Sequence, residues 1–303
     1  MLYRPKIGIA LGSGSARGWA HIGVLLALTE RGIALDYVAG CSMGAMVGAA
    51  FAVGRIAELE SWALSLTLKR VVGLLDVGLW GGVFKGDRLI RMFQGQFVEC
   101  QFSDLPLQFA AVATDLATGK ELWLRDGKVS DAVRASCTVP GLFRPVLREG
   151  RYVVDGSVVN PIPVSLCRAM GAEVVIAVDL GSHLVRRFPL DTKASPGAAP
   201  QRRRGPFSVL DRSPRGDGPR LPSIADTLLG TIDIMQDRIA QARLRSDAPD
   251  VLLTPSLGQV GPFEYHRAAL AIAEGREAVA QMLPAIRQAL AIDDLAEVRT
   301  LPA

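Results

Sequence analysis

An α/β fold with a mainly parallel central sheet is predicted for this 303-residue chain by three observations. Apolar runs of strand length alternate with stretches of helical periodicity, the order that a parallel sheet with crossover helices requires. Two of the strand-to-helix junctions are rich in glycine, and such sheets carry their functional groups at tight turns of that kind. With 49% apolar and only 21% charged residues, the chain can also bury one substantial core.

The first strand is the run Lys6-Ile7-Gly8-Ile9-Ala10-Leu11, which breaks into Gly12-Ser13-Gly14-Ser15-Ala16-Arg17-Gly18. A helix follows, with Trp19, Ile22, Gly23, Leu26 and Leu28 at roughly helical spacing and Arg31-Gly32 as its stop. A loop on a helix N-terminus presents unpaired N–H groups and the positive end of the helix dipole. That suits a phosphate and a transient oxyanion equally. The spacing Gly12-x-Gly14-x-x-x-Gly18 is looser than a dinucleotide fingerprint. A dinucleotide site also wants an acid at the end of the second strand, and Asp36 stands at that strand's beginning, so the oxyanion loop is favoured.

The second strand, Asp36-Tyr37-Val38-Ala39, leads into Gly40-Cys41-Ser42-Met43-Gly44 and then a run of small residues. A serine between two glycines in that order is the context of a nucleophile elbow, which makes Ser42 the candidate nucleophile. Cys41 occupies the x position of the elbow and is expected to point into the fold.

A serine nucleophile needs a base, and the chain has three histidines. His21 lies on an apolar helix and reads as a core residue, His183 opens a stretch with no packing pattern, and His266 begins a C-terminal helix. The alternative is a carboxylate. Asp155 ends the β-rich run Tyr152-Val153-Val154-Asp155-Gly156-Ser157, at a turn that reads either as a plain Asp-Gly turn or as a functional strand end. The carboxyl end of a strand is the active-site edge of a parallel sheet, where Ser42 also emerges. With a solution pKa of about 3.9, an aspartate serves as base only where burial raises that value.

Further strands are expected at Phe109 to Thr114 and Glu121 to Leu124, paired around the turn Asp115 to Lys120, and at Glu173 to Asp179 and Val251 to Thr254. Helices are expected at Ile224 to Ser246 and Tyr265 to Ile292. The segment Val71 to Phe84 is unusually apolar for its glycine content and reads as core packing or as a lid with Trp80 at the water boundary.

Three regions follow from this pattern. Residues 1–182 form the core, with the motif-bearing part at 8–168; 183–222 form a flexible basic Pro/Arg-rich insert; and 223–303 form a helical segment packing on the same domain. The insert holds seven of the eighteen prolines and nine Lys or Arg against three Asp. Since the whole chain carries only +4, the rest is close to neutral, which argues against a nucleic-acid-binding surface. The insert reads as a solvated loop or as an attraction to anionic lipid head groups.

Cys41, Cys100, Cys137 and Cys167 show neither metal-ligand nor paired spacing, and Met1 to Ile9 carries no signal peptide, so a cytoplasmic setting is expected. Apolar runs fall short of the ~20 residues that span a bilayer, which limits membrane contact to a peripheral one at the inner face. Oligomeric state is left open.

As a set, four segments carry a resemblance. They are Gly14-Ser15-Ala16-Arg17-Gly18, the elbow Gly40 to Gly44, Asp155-Gly156 followed by Val159-Asn160-Pro161-Ile162-Pro163, and Arg134-Ala135-Ser136-Cys137-Thr138-Val139-Pro140-Gly141. With these the chain resembles the patatin-like phospholipases, most of all the small bacterial proteins related to neuropathy target esterase, over most of residues 5–182. The resemblance implies a three-layer α/β/α acyl hydrolase with a Ser-Asp dyad: Ser42 as nucleophile, Asp155 as general base, and N–H groups of Gly14, Ser15 and Ala16 as oxyanion hole. Gly12, Gly18, Gly40, Gly44 and Gly156 are then the motif glycines, and residues 134–141 pack beneath the site. It implies glycerophospholipid, lysophospholipid or simple carboxylic ester substrates and neither metal nor cofactor. Arg17 reads as a contact for a lipid phosphate or as a structural ion-pair partner.

In one respect the chain departs from this pattern: Ser13 and Ser15 stand where the family's loop usually has glycines. A serine is strained wherever the loop needs a positive φ. Two other classes stay open: an α/β-hydrolase with a triad, since Ser42, Asp155 and His183 or His266 occur in that chain order, and, on the serine-substituted loop, a regulatory or lipid-binding member of the same fold with weak turnover.

Overall fold

A computed structural model describes residues 4–74, 97–181 and 224–291. Its eight described strands form one sheet: β1 (Ile7–Leu11), β2 (Tyr37–Cys41), β3 (Gln108–Asp115), β4 (Glu121–Leu124), β5 (Val146–Arg148), β6 (Arg151–Asp155), β7 (Val174–Val178) and β8 (Val251–Leu253). Strands β8, β7, β1, β2 and β3 lie side by side and parallel. Beyond them β4 and β6 pair antiparallel with β3, and β5 with β6. The helices are α1 (Ala20–Glu30), α2 (Met43–Ala52), α3 (Ile56–Leu64), α4 (Leu68–Leu74), α5 (Val129–Ser136), α6 (Val164–Ala169), α7 (Ile224–Ser246) and α8 (Ala268–Ala289).

The two-residue period of the strands divides the core. One face of the sheet carries Ile9, Leu11, Val38, Phe109 and Ile176, packed with side chains of α1, α2 and α8. The opposite face carries Ala10, Ala39, Ala110 and Ala177, packed with Leu166 and Cys167 of α6 and Ala240 of α7. Small residues on that face let α6 approach closely: a Cβ at Gly8 would lie 2.3 Å from Cys167 Sγ. Helices cover both faces, so the architecture is a three-layer α/β/α sandwich with a mainly parallel sheet.

On the first face, α8 closes against α1 at near backbone contact. A Cβ at Gly23 would lie 1.9 Å from Ile272 O, and one at Gly275 would lie 2.0 Å from Ala20 O. This packing brings the chain just before α8, residues 260–267, to the first strand-to-helix junction. Helical structure there begins as a 3-10 turn, Tyr265–Arg267, before α8. Residues 75–84 with Trp80, His183 and the 183–222 insert lie outside the described residues. Among the described residues, no helix is long and apolar enough to cross a membrane.

Candidate active site

The register of β3 explains how two groups 113 residues apart in sequence meet. Val112 pairs with Cys41 of β2 and with Trp123 of β4, and the next residue, Ala113, pairs with Asp155 of β6 and with Leu122 of β4. A strand has two hydrogen-bonding edges; β4 runs unbroken along one, so β2 and β6 share the other. They run in opposite directions, and their carboxyl ends meet between Val112 and Ala113. The sequence places Asp155 at the carboxyl edge of a parallel sheet. The structure corrects the reason, because β6 is antiparallel and reaches Ser42 end to end.

At that meeting point the Ser42 hydroxyl donates to Asp155 Oδ2 at 2.7 Å. Ser42 itself carries the unusual backbone, with φ 54° and ψ −122°. Gly40 and Gly44 are not in the left-handed region. They clear space instead: a Cβ at Gly40 would lie 2.5 Å from Ala45 Cα, and one at Gly44 would lie 2.2 Å from Leu11 O. The elbow is thus a strained serine held between two backbone contacts.

Residues 136–138 run beneath both members of the pair. Ser42 N–H donates to Ser136 Oγ at 2.9 Å, Cys137 Sγ donates to Ser42 O at 3.1 Å, and Asp155 N–H donates to Thr138 O at 2.9 Å. Asp155 is fully buried. Its Oδ1 accepts from Ser157 N at 2.8 Å, and its main-chain oxygen accepts from Thr114 Oγ1 at 2.8 Å. Burial pushes the Asp155 carboxyl above its ordinary range, and hydrogen bonds from Ser157, Ser42 and Cys41 pull partly against that. Cys41 is buried, and burial followed by the Asp155 charge pushes its thiol well above the ordinary range, so it is a neutral thiol beside the pair.

The glycine loop forms the opposite wall. Gly12 N–H donates to Val178 O at 3.1 Å, Ser13 N–H to Pro161 O at 2.9 Å, and Arg17 N–H to Gly14 O at 3.0 Å. Ala16, expected among the oxyanion donors, is committed elsewhere: its N–H donates to Pro262 O at 3.1 Å. Among the described residues, the N–H groups of Gly14, Ser15 and Met43 have no hydrogen-bond partner. Ser15 has φ 49°, the left-handed conformation that its departure from glycine makes costly. A Cβ at Gly18 would lie 2.3 Å from Met43 Cβ, so this loop and the elbow are in direct contact.

Arg17 is buried, and its Nε donates to Val260 O at 2.8 Å, a structural bond to the C-terminal segment. Burial pushes the Asp233 carboxyl up while the Arg17 charge draws it down. His21 is buried, and its Nε2–H donates to Gly12 O at 2.7 Å. Burial pushes its pKa down to about 4, against the Gly12 bond, so it props the loop as a neutral imidazole. His266 is exposed and does not line the site.

A cavity of about 130 Å³ is lined by Ser42, Gly14 and Ser15 and by apolar side chains that include Met46, Leu142 and Phe143. Helix α7 contributes to its wall through Ile232, Asp233 and Gln236. Gln236 Nε2 donates to Ser157 Oγ at 2.8 Å, next to the carboxylate. Neither Gln236 nor Tyr265, which also lines the cavity, has any local signal in the sequence. Ser157 has one, since it follows the Asp-Gly turn.

Known proteins resemble this chain over its motif-bearing part. The family model described as patatin-like phospholipase matches residues 9–168. An uncharacterized NTE family protein of Mycobacterium tuberculosis (strain ATCC 25618 / H37Rv) is 32% identical over 96% of this chain and 93% of its own length. Patatin-like phospholipase domain-containing protein 6 of Mus musculus is 37% identical over 58% of this chain, which is 14% of that protein. The solved structure of VipD from Legionella pneumophila aligns over 99% of this chain and 81% of that one at 14% identity, with a TM-score of 0.39. The chain therefore belongs to the patatin-like phospholipase family, a membership that implies hydrolysis of lipid acyl esters.

Proposed function

We propose that this protein hydrolyses lipid acyl esters through an acyl-enzyme on Ser42, with Asp155 as general base. The observation that carries the reading is the 2.7 Å bond from the Ser42 hydroxyl to a fully buried carboxylate whose pKa is raised. Raised basicity lets Asp155 draw the hydroxyl proton as Ser42 attacks the ester carbonyl. The N–H groups of Gly14 and Ser15 hold the developing oxyanion, assisted by that of Met43 at the start of α2. Asp155 then returns the proton to the leaving alcohol. Water, deprotonated by the same carboxylate, releases the fatty acid. The apolar side chains of the cavity suit the acyl chain, and the substrate class is a glycerophospholipid, a lysophospholipid or a simple carboxylic ester.

Labelling with a fluorophosphonate, read by intact mass, tests nucleophile and base together. Wild type gains one adduct, Ser42→Ala gains none and loses roughly 10⁴-fold in kcat, and Asp155→Asn labels slowly. An adduct on Ser42→Ala at the wild-type rate rejects the reading. A low-salt liposome assay addresses the 183–222 insert: unchanged binding to anionic vesicles after its deletion rules out a head-group role.

A further inference from the structure

The glycine loop is short of glycine at the one position where its backbone is left-handed. Ser15 stands there at φ 49°, and its side chain is tied to a segment 250 residues away in sequence. Ser15 Oγ lies 2.5 Å from Pro262 O, which can only accept, so the serine hydroxyl donates to it. Tyr265 OH lies 3.0 Å from the same Oγ and is therefore the donor in that second bond. Three more bonds link the same two segments: Ala16 N–H to Pro262 O at 3.1 Å, Arg17 Nε–H to Val260 O at 2.8 Å, and Trp19 Nε1–H to Tyr265 O at 3.2 Å. The Tyr265 ring also packs edge-on to Trp19, with centroids 6.1 Å apart.

We propose that residues 260–265, through the Pro262 carbonyl and the Tyr265 hydroxyl, hold Ser15 left-handed so that its N–H stays turned to the cavity as an oxyanion donor. Tyr265 is then a positioning residue for the acyl-transfer step, and the inference rests on the acyl-hydrolase reading above. Two features support it. Ser15 N–H has no partner among the described residues although its neighbour Ala16 N–H does, and Ser15 and Tyr265 both line the cavity with Ser42. A left-handed serine without such anchors would relax to negative φ and swing that N–H away. Burial pushes the Tyr265 phenol up to about 12, so it remains a hydrogen-bond donor throughout the neutral range.

The test is a cycle of Tyr265→Phe and Ser15→Gly in the full chain, with Ser15→Ala beside it, read by kcat and KM on a chromogenic short-chain ester. Tyr265→Phe keeps the ring against Trp19 and lowers kcat by about tenfold with KM within a factor of two. In a Ser15→Gly background the same change lowers kcat less than about threefold, because glycine adopts the conformation without anchors. Ser15→Ala, with a Cβ and no hydroxyl, is slower than Ser15→Gly. Equal losses from Tyr265→Phe in both backgrounds, or Ser15→Ala as fast as Ser15→Gly, overturn the proposal. The second comparison decides even where Tyr265→Phe fails to fold. Ser42→Ala labelling keeps the two readings apart: retained labelling there rejects the nucleophile, whereas full loss there with wild-type kcat in Tyr265→Phe rejects only the positioning role.

Discussion

The two halves of the candidate site are built by different means. The Ser42–Asp155 junction rests on the backbone of one strand, since both partners leave the same edge of β3 at Val112 and Ala113. Its glycines touch main chain: Gly44 faces Leu11 O, and Gly156 would place a Cβ 2.4 Å from Val112 O. The end of the loop, Ser15 to Trp19, rests instead on side chains and carbonyls of residues 260–265. Gly14, just before it, would place a Cβ 2.7 Å from Leu180 Cδ1, the end of a side chain that can move, and its φ of 174° lies outside the left-handed region. The junction is fixed by sterics that leave no slack. The end of the loop is tied to residues 260–265 by hydrogen bonds that can be removed one at a time.

Three experiments sharpen that contrast. The largest effect comes from one substitution made in both halves. Gly44→Ala, pressed against backbone, destabilises by about 3 kcal/mol and abolishes labelling of Ser42, whereas Gly14→Ala costs under about 1 kcal/mol, both read by urea unfolding. Similar costs in the two would erase the distinction.

Next in size is Ser136→Ala. It leaves the Ser42 N–H, now paired with Ser136 Oγ, without an acceptor in a buried place, and destabilises by about 1 to 3 kcal/mol. Since this bond sets the angle of the elbow, kcat falls along with stability. A fall in stability alone would separate the floor of the site from its chemistry.

The smallest effect is a dependence on pH. Burial raises the Asp155 carboxyl in the folded protein, so the group favours folding below its unfolded pKa of about 3.9 and loses that contribution as pH rises through its folded value. Asp155→Asn, which still accepts from Ser157 N–H, therefore melts higher than wild type at pH 7, and the difference shrinks toward pH 4. Activity runs the opposite way, with an acid limb in kcat/KM above the ordinary aspartate range. A limb at or below about 3.9 would mean that the carboxyl is not raised.

How much of this was legible beforehand differs between the halves. The elbow announces itself because a strand, two glycines around a serine and a run of small residues lie within one short window. Asp155 is legible as a strand end beside a turn at the edge where Ser42 emerges, but the direction of its strand is not, since local pattern does not distinguish a parallel strand from an antiparallel one. Tyr265, Pro262 and Gln236 carried no signal at all. Each reaches the site through a hydrogen bond to a residue at least 79 positions distant.

Residue types, periodicity and turn chemistry, all local properties, were enough to specify a mainly parallel α/β sheet and to single out Ser42, Asp155 and the glycine loop as candidate site residues. Tertiary packing alone decided that β2 and β6 meet head to head on β3. It also decided that the Ala16 N–H is taken by Pro262 while the Ser15 N–H is left over. The reason is physical: an N–H group is identical at every residue, and only the carbonyl that folding brings beside it determines whether it binds the chain or remains available to bind a substrate.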